Sequence, residues 1–138
     1  MKLERPYALT FTPTGGDTVP VIDSDQVVPA LTSLHRAGVP LIVSLYRYLV
    51  PGSTSIADAA GCLIGLGAPR STLLSLAHGL AADPTLPLLT EELIFSFGGE
   101  PTPHFPPETR LTPEKAFQLA AELILEPVTP PASVEWIR

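Results

Sequence analysis

The sequence predicts a mainly α fold: an N-terminal β-hairpin packed on a compact bundle of about five short helices, with an extended C-terminal arm. Three observations lead there. Apolar and polar residues alternate on both sides of a Gly-Gly-Asp turn near the start. Apolar residues at helical spacing follow, bracketed by residues that start and stop helices. Near the end, "TPPASVEWIR" carries a double proline that no helix runs through. At 138 residues the chain fits one compact domain over 1–126, with the arm at 127–138.

Within the hairpin (7–22), the alternation places strands over 7–12 and 18–22, and Pro20 makes the second an edge strand. "DSDQVVPALTSLHRAG" then reads as a helix: Asp23, Ser24 and Asp25 are candidate caps, Val27, Ala30, Leu31 and Leu34 are inward, and Gly38 is the stop. Pro40 sits where a helix accepts its first residue, so "PLIVSLYRYLV" reads as a second helix, apolar nearly all round and therefore central. Further helices are expected over "IADAAGCLIGL", weakened by Gly61 and Gly65, over 69–79 from Pro69 to Gly79, and, shorter, from Thr90, where Glu91 and Glu92 suit the helix dipole. A proline-rich linker fills 100–112. After it, Thr112 as cap, Pro113 at the first position, Phe117, Ala120, Ala121 and Ile124 inward, and Pro127 as stop define the cleanest helix of the chain.

Composition narrows the function classes. Hydrophobic residues make up 45% and charged ones 16%, well under the roughly 25% charged share of ordinary soluble domains. A chain this short of charge is expected to cover its apolar surface with a partner or a copy of itself. Seventeen prolines punctuate short elements, since so apolar a chain does not stay disordered. Net charge is -6, and the basic residues Lys2, Arg5, Arg36, Arg47, Arg70, Arg110, Lys115 and Arg138 form no run. Stretches free of Asp, Glu, Lys and Arg reach only about a dozen residues, too short for a membrane span. "MKLERPYALTF" lacks the apolar segment of a secretory signal, so the expected compartment is the cytoplasm.

One stretch raises a regulator reading. Leu66, Gly67, Arg70, Ser71, Thr72, Leu73, Leu76 and Gly79 fall where the lambda-repressor-like helix-turn-helix family has its turn and recognition helix, a resemblance confined to residues 66–79. It would imply DNA contacts by Arg70, Ser71, Thr72 and Ser75. Charge opposes it: Arg70 is the sole Lys or Arg between Tyr48 and Thr109, and DNA affinity comes largely from neutralising phosphates. The expectation is therefore core packing and no nucleic-acid partner.

Chemistry has little to stand on. Ser75 and His78 are three apart, a spacing that brings side chains together on a helix, with Asp58 or Asp83 as a conceivable orienter, but no nucleophile elbow accompanies them. His35, Cys62, His78 and His104 lack the paired spacing of metal ligands, and "GLG" at 65–67 lacks the third glycine of a dinucleotide loop. Cys62, among "AAGCLIGL", reads as a buried thiol. The chain is thus expected to be neither an enzyme nor a holder of metal or cofactor.

Association remains. Val134, Trp136 and Ile137 lie on the proline-stiffened arm, where an aromatic anchor can dock into a partner. Over most of the chain, the order of "YALTFTP", "LHRAGVPLIVSLYRYL", "LPLLTEELIFSFGG" and "LTPEKAFQLAAELI" resembles bacteriophage tail assembly chaperones and similar small morphogenesis proteins. That resemblance implies a non-enzymatic factor that holds or joins structural proteins, binding a protein partner or copies of itself. The alternative is the helix-turn-helix regulator.

Overall fold

Strands occupy the middle of the chain where helices are expected. The computed structural model describes residues 2–10, 18–47, 61–87, 94–97, 100–101 and 110–137. In chain order these form β1 (Lys2–Thr10), β2 (Thr18–Asp23), a 3-10 turn (Ser24–Gln26), α1 (Val27–Arg36), β3 (Leu41–Arg47), β4 (Cys62–Leu66), β5 (Thr72–Ser75), β6 (Gly79–Ala82), β7 (Ser96–Phe97), β8 (Glu100–Pro101), α2 (Pro113–Leu125) and β9 (Glu135–Ile137). Among the described residues the nine strands make one sheet, with main order β2-β1-β3-β4-β5-β6-β9. Every pairing along that order is antiparallel. β7 runs parallel to β3, Leu41 opposite Ser96, and β8 pairs with β7.

The expected helix bundle, and with it an all-α description, is therefore wrong: the chain is predominantly β-sheet with two α-helices. "LIVSLYR" is a strand that sits mid-sheet, between β1 and β4, with Ile42 buried on one face and Val43 and Leu45 on the other, so its sequence reads as a nearly continuous apolar run. Such a run has no period to separate it from a buried helix. Cys62 to Leu66 is likewise a strand, and its glycine is explained by contact: a Cβ on Gly65 would stand 2.6 Å from Thr72 Oγ1 and 3.0 Å from the Phe95 ring. Residues 69–79, expected as a helix, hold β5 and the turn into β6. Gly67 at φ +86° and Gly79 at φ +101° are turn glycines of hairpins, not helix caps. The short helix expected from Thr90 begins among residues 90–93, outside those described, and residues 94–97 that follow are not helical; most of the 100–112 linker also lies outside the described residues. The linker's end is held: Ser71 and Leu111 exchange backbone hydrogen bonds of 2.8 and 2.7 Å.

Toward the two ends of the chain the expected pairing of the first two strands and the expected helices are present, although the first strand spans Lys2–Thr10 and the turn at 11–17 lies outside the described residues. β1 and β2 pair with Leu9 opposite Val19 and Tyr7 opposite Val21. Asp23 caps the turn into α1, its Oδ1 accepting the Asp25 N–H at 2.9 Å, while Gln26 Oε1 accepts the Asp23 N–H at 3.0 Å to close a capping box. Thr112 caps α2, its hydroxyl accepting the Lys115 N–H at 3.2 Å ahead of Pro113. The arm, expected at 127–138 as an extended appendage, folds back as β9 along β6, with Ala81 opposite Trp136.

Both helices lie on one face of the sheet. Val27 and Leu31 of α1 and Phe117, Leu119, Ala120, Leu123 and Ile124 of α2 share a buried cluster with Leu9, Val43, Leu45, Ile64, Leu66 and Leu73. The strand members are cross-strand neighbours, such as Leu9 with Leu45, Val43 with Ile64 and Ile64 with Leu73, so their side chains share that face. His35 ties the layers. Its Nδ1 accepts the Gly67 N–H at 2.9 Å, and its ring meets Phe117 edge-on at 5.7 Å.

Candidate functional site

Alternation sends the other half of each strand to the outer face of the sheet, away from the helices. Part of that face has its own small core, where Phe95, fully buried, covers Gly65 beside Ile42 and Ala68. Next to it, the pairings align one residue per strand in a straight row: Thr18, Thr10, Ser44, Leu63, Leu74, Leu80 and Ile137. Four aliphatic residues therefore stand shoulder to shoulder across β4, β5, β6 and β9, all only partly buried. Leu63 touches the Phe95 cluster, whereas Leu74, Leu80 and Ile137 join neither buried cluster among the described residues. Leu76, 49% exposed, extends the row at one margin, where its Cδ1 overlies Gly61.

Charge is sparse here. The outward positions of these four strands are Leu63, Gly65, Thr72, Leu74, Leu80, Ala82, Glu135 and Ile137, and Glu135 alone is ionisable. An uncharged, partly buried aliphatic row does no acid-base or metal chemistry. It offers contact area that water leaves readily, about 25 cal/mol for each Å² covered.

The residues singled out from sequence separate into two groups. Ile137 belongs to the row, but Val134 is buried in the helix-side cluster and Trp136 packs against that cluster. The Trp136 indole N–H donates to the Pro131 carbonyl at 2.9 Å, and its ring meets His78 at 5.8 Å. The arm is thus seated on its own sheet. Of the DNA-reading set, Ser71, Thr72 and Ser75 are buried in or beside β5, Arg70 is partly buried just before it, and no helix presents them.

Ser75 and His78 meet without making a nucleophile and base. Ser75 Oγ accepts the His78 backbone N–H at 3.2 Å, and the His78 ring, through Nε2, binds the Pro127 carbonyl at 2.9 Å. Asp83 is turned to Thr85, whose hydroxyl and backbone N–H hold its carboxyl below the usual carboxylate range. Burial pushes the Cys62 thiol up to about 12, so at neutral pH it is a protonated, packed sulfur and not a nucleophile. Among the described residues, no three His, Cys, Asp or Glu side chains gather as metal ligands. His104, Asp58, Glu91 and Glu92 fall outside the described residues. Also among the described residues, no helix is long and apolar enough to cross a membrane.

Sequence reasoning missed the row because its members are scattered from residue 63 to 137 and meet only through strand register. Its one available signal was Leu-Leu pairs such as "STLLS" read with a period of two. No family model matches the chain, and neither a curated protein nor a solved structure matches it.

Proposed function

We propose that the chain is a non-enzymatic protein-interaction or assembly factor whose contact surface is the outer face of the sheet. The observation that carries this reading is the aliphatic row Leu63, Leu74, Leu80 and Ile137, side by side, nearly free of charge and only partly covered. Large apolar patches on a soluble surface mark association sites, and the low charged share of the whole chain points the same way. A role in joining structural proteins, which a resemblance to phage tail assembly chaperones would imply, is one form such a factor takes. The regulator reading is not carried forward, because β5 stands where its recognition helix would be.

Leu80→Glu tests the proposal, since it plants a carboxylate in the row without entering the helix-side core. Wild-type protein purified from its source cells should run in a complex of fixed stoichiometry, and Leu80→Glu should weaken that complex at least about tenfold, near 1.4 kcal/mol, while the far-ultraviolet circular dichroism of the folded sheet is retained. A complex indifferent to Leu80→Glu, or wild-type protein that always runs as a single chain, refutes it.

A further inference from the structure

We infer that Arg70 and Arg110 form a binding site for an oxyanion group, a carboxylate or a phosphate, on the outer face of the sheet beside the start of β5. The inference goes beyond the interaction reading and makes no use of the aliphatic row.

Strand register brings the two arginines together from distant parts of the chain. Ser71 and Leu111 face each other in an antiparallel bridge and exchange both backbone hydrogen bonds. Arg110 therefore stands beside Thr72 and Arg70 beside Thr112, so the two arginines lie on the diagonal of that bridge, roughly 7–8 Å apart and within reach of long side chains. Leu111 belongs to the helix-side core, so alternation turns Arg110 and Arg70 to the other face, where Thr72 Oγ1 lies over Gly65. Ser71 Oγ shares the helix side with Leu111 and is outside the site.

Burial separates this pair from ordinary surface charges. Arg110 is 3% exposed and already makes an interaction within the chain, so its part here is to supply charge. Arg70 is partly buried; its Nε is shut off from solvent, and no acceptor meets that N–H. A guanidinium donor buried without an acceptor is costly. Two like charges on one diagonal add to the cost, in a chain of net charge -6 with only eight basic residues to place. One oxyanion relieves both, accepting from Arg70 Nε in the forked geometry that suits guanidinium groups to carboxylate and phosphate, and offsetting the charge of the pair. The amino end of α2, where the helix dipole is positive, begins at Thr112 on the same corner, and the Glu114 of its first turn is exposed. The part of Arg70 that stays exposed leaves a way in. A nucleic-acid backbone would need a row of cations, whereas one pair holds one group.

Isothermal titration calorimetry on the full chain tests this, with sodium phosphate and sodium acetate each raised to about 50 mM at fixed ionic strength against a sodium chloride blank. Phosphate or acetate should bind saturably with a dissociation constant on the order of 1 mM, and the tighter of the two names the group. Arg70→Gln should weaken that binding at least about tenfold. Arg70→Lys should weaken it nearly as much, because an ammonium keeps the charge and loses the fork. Both changes fall at a partly buried position in the bend ahead of β5, so the folded sheet is kept. No heat from either anion beyond the chloride blank, or wild-type affinity retained in either variant, overturns the inference.

Discussion

The two faces of the sheet are built from alternate residues of the same strands and yet obey different rules. On β5, Leu73 points into the helix-side core and is fully buried, while Leu74, its covalent neighbour, points to the outer face and keeps part of its surface. Propensity and local sequence are the same for both. What separates them among the described residues is the presence of α1 and α2 on one side, so Leu73 is enclosed completely and Leu74 only in part.

Truncating the two leucines gives the largest contrast. Leu73→Ala should lower unfolding free energy by about 2–5 kcal/mol through lost burial and a cavity, and Leu74→Ala by less than about 1 kcal/mol, both read from urea denaturation at a concentration where the protein is a single chain. Equal losses would mean the two faces are equally buried. Gly65→Ala sharpens the picture of the covered part of the outer face. The added methyl meets Thr72 Oγ1 and the Phe95 ring, so a cost of about 1–3 kcal/mol is expected, and a neutral result would show that Phe95 does not lie there. Cys62 gives an effect that is absent at neutral pH and grows only in alkali, on the helix side. Its thiol is pushed from 9.0 to about 12 in the folded chain, so folding favours the protonated form. Stability from this group is complete below pH 9 and declines as pH climbs toward 12, by at most about 1.4 kcal/mol per unit. Cys62→Ala should flatten that part of the pH profile, and a thiol reagent should label native wild type only as fast as it unfolds.

The helices and the hairpin were legible because their ends carry chemistry. Asp23 with Gln26, and Thr112 with Pro113, are cap signals that hold whatever packs nearby. Between Pro40 and Gly79 no such anchor exists. There Pro40, Gly61, Gly65, Gly67 and Gly79 imitate helix punctuation while serving as loop, strand and turn residues, and apolar runs such as "LIVSLYR" fit either element. The site was less legible still. Ile137 could be named from its place on the arm, but its row neighbours Leu63, Leu74 and Leu80 become neighbours only after β4, β5, β6 and β9 have paired, which is a property of register and not of any stretch of sequence.

The closed edge at β2 bears on where growth of an assembly stops. A sheet that recruits other sheets sideways can keep doing so without limit, since each newcomer brings a fresh ragged side, and fibres are the outcome. Proline at position 20, which has no N–H, and the side-chain oxygen of Gln26, which holds the Ile22 N–H, remove that option along this part of the β2 flank.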